Sequence, residues 1–151
     1  MNQKGVTLIE LIVVFVIIAI LAVLMVPNIS GWLPSYRLRG ATRDVVSTLR
    51  TAQMRAVSYH VQYRVNFNAA EVGAANSYVV QRDSGGGVFI NDGTVQTLPT
   101  GITINIGLLA AGRALFNADS TSSGGSVTLQ NTKGVARTIT LTTSTGRASV
   151  S

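Results

Sequence analysis

The sequence predicts an α+β fold: one long N-terminal helix, membrane-spanning at first and amphipathic beyond, packed on an antiparallel, β-rich head. Three observations predict it. Every residue from 11 to 26 is apolar. Small and apolar residues then recur at steps of three and four through residue 56. After residue 60 the chain breaks into short alternating segments separated by Gly-, Ser- and Asn-containing turns, the pattern of strands rather than of a helix bundle.

The apolar run comes first. Val6, Leu8 and Ile9 extend it, with Thr7 and Glu10 as its only polar members. About 20 apolar residues in helix cross a bilayer, so residues 6–26 are just long enough. Lys4 is the only charge on the N-terminal side, which keeps that end cytoplasmic and exports the rest. An ordinary secretory signal has a core of about 7–15 residues and a small-residue cleavage site behind it. Here the core is longer, and Val26-Pro27-Asn28-Ile29 follows it. Glu10 is costly in lipid, by about 2.5–3.5 kcal/mol at a helix centre and less near an end. Either it lies shallow enough to reach water, or it meets a positive charge from another subunit.

Pro27, Gly31 and Pro34 close the run. Proline lacks a donor and crowds the preceding turn, so a kink or loosening is expected between Pro27 and Pro34, with Pro27 as the kink residue. Trp32 and Tyr36 are expected at the membrane interface. Leu38, Ala41, Val45, Leu49, Ala52 and Ala56 form the buried stripe of the amphipathic part. Arg39, Arg43 and Arg50 project from the opposite side, with Arg37 and Arg55 flanking. Those arginines read as a solvated face, as a contact for acidic lipid, or as a contact for a charged subunit.

In the head, Val61, Tyr63, Val65 and Phe67 alternate with polar residues as a half-buried strand. Further strands are expected over residues 77–82, 88–90, 102–106, 114–116, 126–130, 137–142 and 147–150, with turns at 84–87, 91–93 and 120–125. The division is then 1–5 as leader, 6–30 as membrane helix, 31–60 as amphipathic helix and 61–151 as head.

Catalytic patterns are missing from the sequence. His60 is the single histidine, placed at a helix-to-strand junction where capping or packing is the expected role. Asp44, Glu71, Asp83, Asp92 and Asp119 stand alone, without the spacing of a metal site or an acid–base pair. Gly85-Gly86-Gly87 has no following Lys-Ser/Thr and opens no helix, so it is no phosphate cradle. There is no cysteine, hence no disulfide or Cys-based zinc site. Neither an enzyme nor a cofactor is expected. The net charge of +6 rests on 12 Lys and Arg against 6 acids, a balance that suits anionic surfaces, nucleic acid or lipid.

The stretch Lys4-Gly5-Val6-Thr7-Leu8-Ile9-Glu10-Leu11 resembles the class III signal of type IV pilins and type II secretion pseudopilins. The resemblance implies a cut by prepilin peptidase between Gly5 and Val6 and methylation of the new N-terminus. It also implies a filament core built from the apolar helix, and pairing of Glu10 with a neighbouring subunit's N-terminal amine. Val6 departs from the Phe usual at that place. Arg55-Ala56 ahead of the first strand resembles the FimT-type minor pilins and the H-type pseudopilins. So does the closing stretch with Phe116, Gly124-Gly125, Val127, Leu129, Asn131, Gly134, Ile139, Leu141 and Gly146-Arg147. The implied fold is type IV pilin-like. The implied role is a structural subunit of a type IV pilus or a type II secretion pseudopilus in the bacterial inner membrane, with the head periplasmic. Other pilins or pseudopilins, prepilin peptidase and inner-membrane lipid are the implied partners. The alternative is a DNA-binding minor pilin serving DNA uptake, with Arg147, Arg137 and Lys133 as the DNA or anion contacts. Some FimT-type pilins bind DNA through a C-terminal Gly-Arg-x-Arg, whereas this chain reads Gly146-Arg147-Ala148-Ser149 and lacks the second Arg.

Overall fold

A computed structural model describes residues 5–25 and 29–151. The chain divides into two compact units, Met1–Leu33 and Pro34–Ser151, each taken by itself below.

In the first unit, helix α1 covers Leu8–Met25. Thr7 stands just before it, and its hydroxyl accepts the Glu10 backbone N–H at 3.4 Å. Thr-x-x-Glu at a helix start is the capping-box pattern. The kink expected at Pro27 falls outside the described residues. Helix α2 covers Ile29–Tyr59 and contains Pro34, whose missing N–H costs that turn one hydrogen bond.

The second unit is built on α2 from Pro34 onward. Leu38, Ala41, Val45, Leu49, Ala52 and Ala56 are each 1% exposed or less, so the stripe expected from their spacing is the buried face. Three of the six are alanines, which lets the helix backbone come close to what it covers. His60, at φ +56°, turns the chain out of α2 in the left-handed conformation, where a non-glycine residue is strained.

Nine strands, one short α-helix and one 3-10 turn follow: β1 (Tyr63–Asn66), α3 (Ala69–Val72), β2 (Ser77–Asp83), β3 (Phe89–Asn91), β4 (Gln96–Thr97), β5 (Ile102–Asn105), the 3-10 turn (Ala110–Gly112), β6 (Arg113–Phe116), β7 (Gly125–Asn131), β8 (Ala136–Leu141) and β9 (Ala148–Val150). They form two antiparallel sheets. One runs β3-β2-β1-β6, with β4 also on β2; the other runs β5-β7-β8-β9. Tyr63, Val65 and Phe116 of the first sheet, and Val127, Leu129, Ile139 and Leu141 of the second, join the α2 stripe in one apolar core. Burial of such side chains is worth about 1.5–3 kcal/mol each.

Buried polar groups fix the turns. Asn66 is fully buried; its amide donates to Glu71 at 2.9 Å and its carbonyl accepts the Asn68 N–H at 3.0 Å. Asn131 accepts the N–H groups of Lys133 and Val135, each at 3.0 Å, which shapes the β7–β8 turn.

Candidate functional site

The sequence singles out an assembly helix and a basic surface, and the structure gives each a geometry. On α1, the large apolar side chains from Leu8 to Val23 are each at least 50% exposed. A helix apolar all round belongs inside lipid or among other apolar helices. Eighteen residues at about 1.5 Å each reach about 27 Å, against about 30 Å of bilayer hydrocarbon. Among the described residues no helix is long and apolar enough to cross a membrane.

Gly5 and Val6 precede the helix in non-helical backbone. Val6 is 73% exposed, and a methyl group added at Gly5 would meet nothing within 4 Å. Glu10 occupies the first turn, where a carboxylate faces the positive end of the helix dipole. The helix dipole gives this acid a local return, and its place three residues after Thr7 is the sequence signal of that position.

The basic residues do not form one cluster. Arg137, on β8, joins Arg39, Arg43 and Arg50 of α2 around an open groove of about 550 Å³, with Val46 and Val150 also lining it. Lys133 lies in the turn before β8 and Arg147 in the turn after it. A six-residue strand, about 20 Å long, separates these two, and neither lines the groove. The Arg147, Arg137, Lys133 set expected from sequence is thus spread along β8, and only Arg137 meets the helix arginines. Arg37 donates to the Thr100 carbonyl at 3.1 Å, and Arg55 pairs with Asp92 at 2.9 Å. Both are structural contacts inside the head.

Four of the five scattered acids have separate partners. Asp83 accepts the Gly85 N–H, and Asp119 accepts from Thr121, which holds its carboxyl below the usual range. Asp92 holds Arg55. With burial as the larger cause, Asp92 also helps keep the Tyr63 phenol above its ordinary value. Glu71 is gripped by Arg113. That contact first, and the Asn66 amide second, hold its carboxyl below the usual range. Among the described residues no group of three metal-ligating side chains converges.

A wholly apolar helix headed by a carboxylate, followed by an amphipathic helix clamped on antiparallel sheets, defines the class: a type IV pilin-like protein. The comparisons bear on both halves of the chain. Residues 1–26 match the prokaryotic N-terminal methylation motif, and residues 41–146 match the type II transport protein GspH family. The chain belongs to that family.

Similar solved structures include the minor pseudopilin EpsH from the Type 2 Secretion System of Vibrio cholerae, at 9% identity and TM-score 0.61, covering 76% of this chain and 96% of that one. The solution structure of E. coli GspH is similar at 11% identity and TM-score 0.62, covering 84% and 95%. The Pseudomonas aeruginosa type IV minor pilin FimU follows at 14% identity and TM-score 0.59, covering 78% and 90%. At these identities the likeness is one of fold. No curated protein matches the chain.

Proposed function

We propose that the chain is a structural subunit, a minor pilin or pseudopilin, that polymerises through α1 into a type II secretion pseudopilus or a type IV pilus. One observation carries this reading. The apolar side chains of α1 are at least half exposed, and the whole helix lies within the stretch that matches the N-terminal methylation motif. Such a surface is satisfied by lipid before assembly and by neighbouring apolar helices after it.

In this scheme prepilin peptidase cuts between Gly5 and Val6 on the cytoplasmic side, and the new amine is methylated. The helix rests in the inner membrane with the head periplasmic. On assembly Glu10 meets the N-terminal amine of a neighbour, and this charge pair sets the register between helices.

N-terminal sequencing of the membrane-extracted protein checks the first step, with Val6 as the expected start; any other start overturns the processing scheme. For Glu10, the informative change is Glu10→Gln, because Gln serves a capping box as well as Glu does but carries no charge. The variant is expected to insert in the membrane normally and to enter filaments poorly. Incorporation at the wild-type level would sink the pairing role.

DNA capture is the lesser reading. It rests on Arg147, Arg137 and Lys133 and on the net charge, and Ala148, next in the partial motif, is a buried β9 residue.

A further inference from the structure

The groove between α2 and the edge of the second sheet has no part in the filament scheme. Its four arginines come from two elements, and no carboxylate lines it among the described residues. Arg39, Arg43 and Arg50 are exposed and Arg137 is half-buried. None of the four side chains makes a hydrogen bond or ion pair with a described residue. By contrast, Arg55, Arg64 and Arg113 are each bound to an acidic or amide side chain of the head.

Like charges gathered around one concavity repel one another and raise the local potential. Guanidinium groups bind carboxylates in a planar, two-bonded fork. Val46, Met54 and Val150 lie in the same groove, so its lining combines charge with apolar surface, as protein-binding sites do. The volume is that of a site for a short piece of chain.

We propose that this groove seats an extended acidic segment from a different protein chain, a neighbouring subunit if the filament reading above holds. The spacing supports an extended segment. Arg39 and Arg43 are one helical turn apart, about 6 Å along the axis, and alternate residues of a strand repeat at about 6.7 Å. β9, which contributes Val150, is the end strand of its sheet and pairs only with β8. Its outer edge can therefore accept backbone hydrogen bonds from a bound strand.

A second copy of this chain does not supply the ligand. Its six acids, Glu10, Asp44, Glu71, Asp83, Asp92 and Asp119, are isolated in sequence, and two are already held by Arg113 and Arg55.

The test uses the full chain in detergent and a labelled peptide of about ten residues with alternating Glu and Thr, beside its Gln counterpart. Fluorescence anisotropy at about 50 mM salt should show binding of the Glu peptide that weakens as salt rises. Arg43→Glu with Arg50→Glu should weaken it at least tenfold, and Arg137→Glu likewise. Lys133→Ala and Arg147→Ala should leave it unchanged, since neither lines the groove.

Three results would overturn the proposal: no binding of the Glu peptide, equal binding of the Gln peptide, or equal binding by the doubly reversed variant. A duplex of about 20 base pairs, held through these arginines while the peptide is not, would overturn it as well and make the groove a nucleic-acid site. Glu10→Gln separates this proposal from the filament reading. It should leave peptide affinity at the wild-type level whatever it does to filament entry, so either idea can fail alone.

Discussion

Gly146 sits where three segments meet. The Gln53 amide of α2 donates to the Ser120 side chain at 2.9 Å and to the Thr145 carbonyl at 2.8 Å. A Cβ on Gly146 would come within 2.6 Å of both the Gln53 amide and the Ser120 carbonyl, at φ +61°. Two costs therefore add for Gly146→Ala: the left-handed conformation and a collision with backbone. The expected loss is about 2–4 kcal/mol in urea unfolding. Gly134 is the control. At φ +79° it has nothing within 4 Å, so Gly134→Ala should cost about 1–2 kcal/mol from conformation alone.

Glu71 gives a second residue-level expectation. Its folded carboxyl is held below the ordinary value of 4.5 by Arg113 and Asn66. The stability it contributes is present above the unfolded value and is lost as pH falls through the lower, folded one. Thermal midpoints of the wild type should thus decline below that ordinary value more steeply than those of Glu71→Gln, while the two should run parallel near neutral pH. Neither residue's role was legible in sequence. Gly146 could be noted only as part of a resemblance, and Glu71 only as an isolated acid, because Gln53 and Arg113, which meet them, lie far off in the chain, Arg113 at 42 residues.

At the scale of elements, periodicity was the reliable guide. The α2 stripe, β1, β2 and the strands from β5 to β9 lie where alternation or three-four spacing put them, within a residue or two at their ends. Three elements were not expected, one of them a single 3-10 turn over Ala110–Gly112. Helix α3 is a single turn held by the Asn68 cap and by Gly73 at φ +82°, two punctuation residues with no periodic run between them. Strand β4 has two residues, too few to show a period. The split into two sheets was also hidden, since alternation reveals which face is buried but not which strand lies alongside.

The same limit governs the groove. Arg39, Arg43 and Arg50 share a helix face and were legible as a row, but Arg137 joins them only through the packing of the second sheet against α2. On α2, close approach depends on Ala52, which is 0% exposed. Ala52→Leu should overpack the core and cost about 1–3 kcal/mol, whereas Met54→Leu, at a position 62% exposed, should change stability by less than about 0.5 kcal/mol. Denaturant midpoints of the pair check it.

Across the whole head, the two sheets differ in how the chain reaches them. β7, β8 and β9 are successive neighbours joined by short turns. The first sheet closes differently: β1 pairs with β6, Tyr63 opposite Phe116 and Asn66 opposite Arg113, so its centre joins residues about fifty positions apart in sequence, a loop whose entropy must be lost before the contact returns anything. That feature sets an order of events. The β7–β8–β9 meander can form while β1 is still searching, and the β1–β6 seam comes last. Val65→Ala, at that seam, should chiefly speed unfolding, while Ile139→Ala, inside the meander, should chiefly slow folding. Chevron plots of the two variants read this directly, and the opposite assignment would place the nucleus in the first sheet. A chain made from its N-terminus onward cannot close this seam until Phe116 has arrived, so the helix that appears first must wait for strands that come much later.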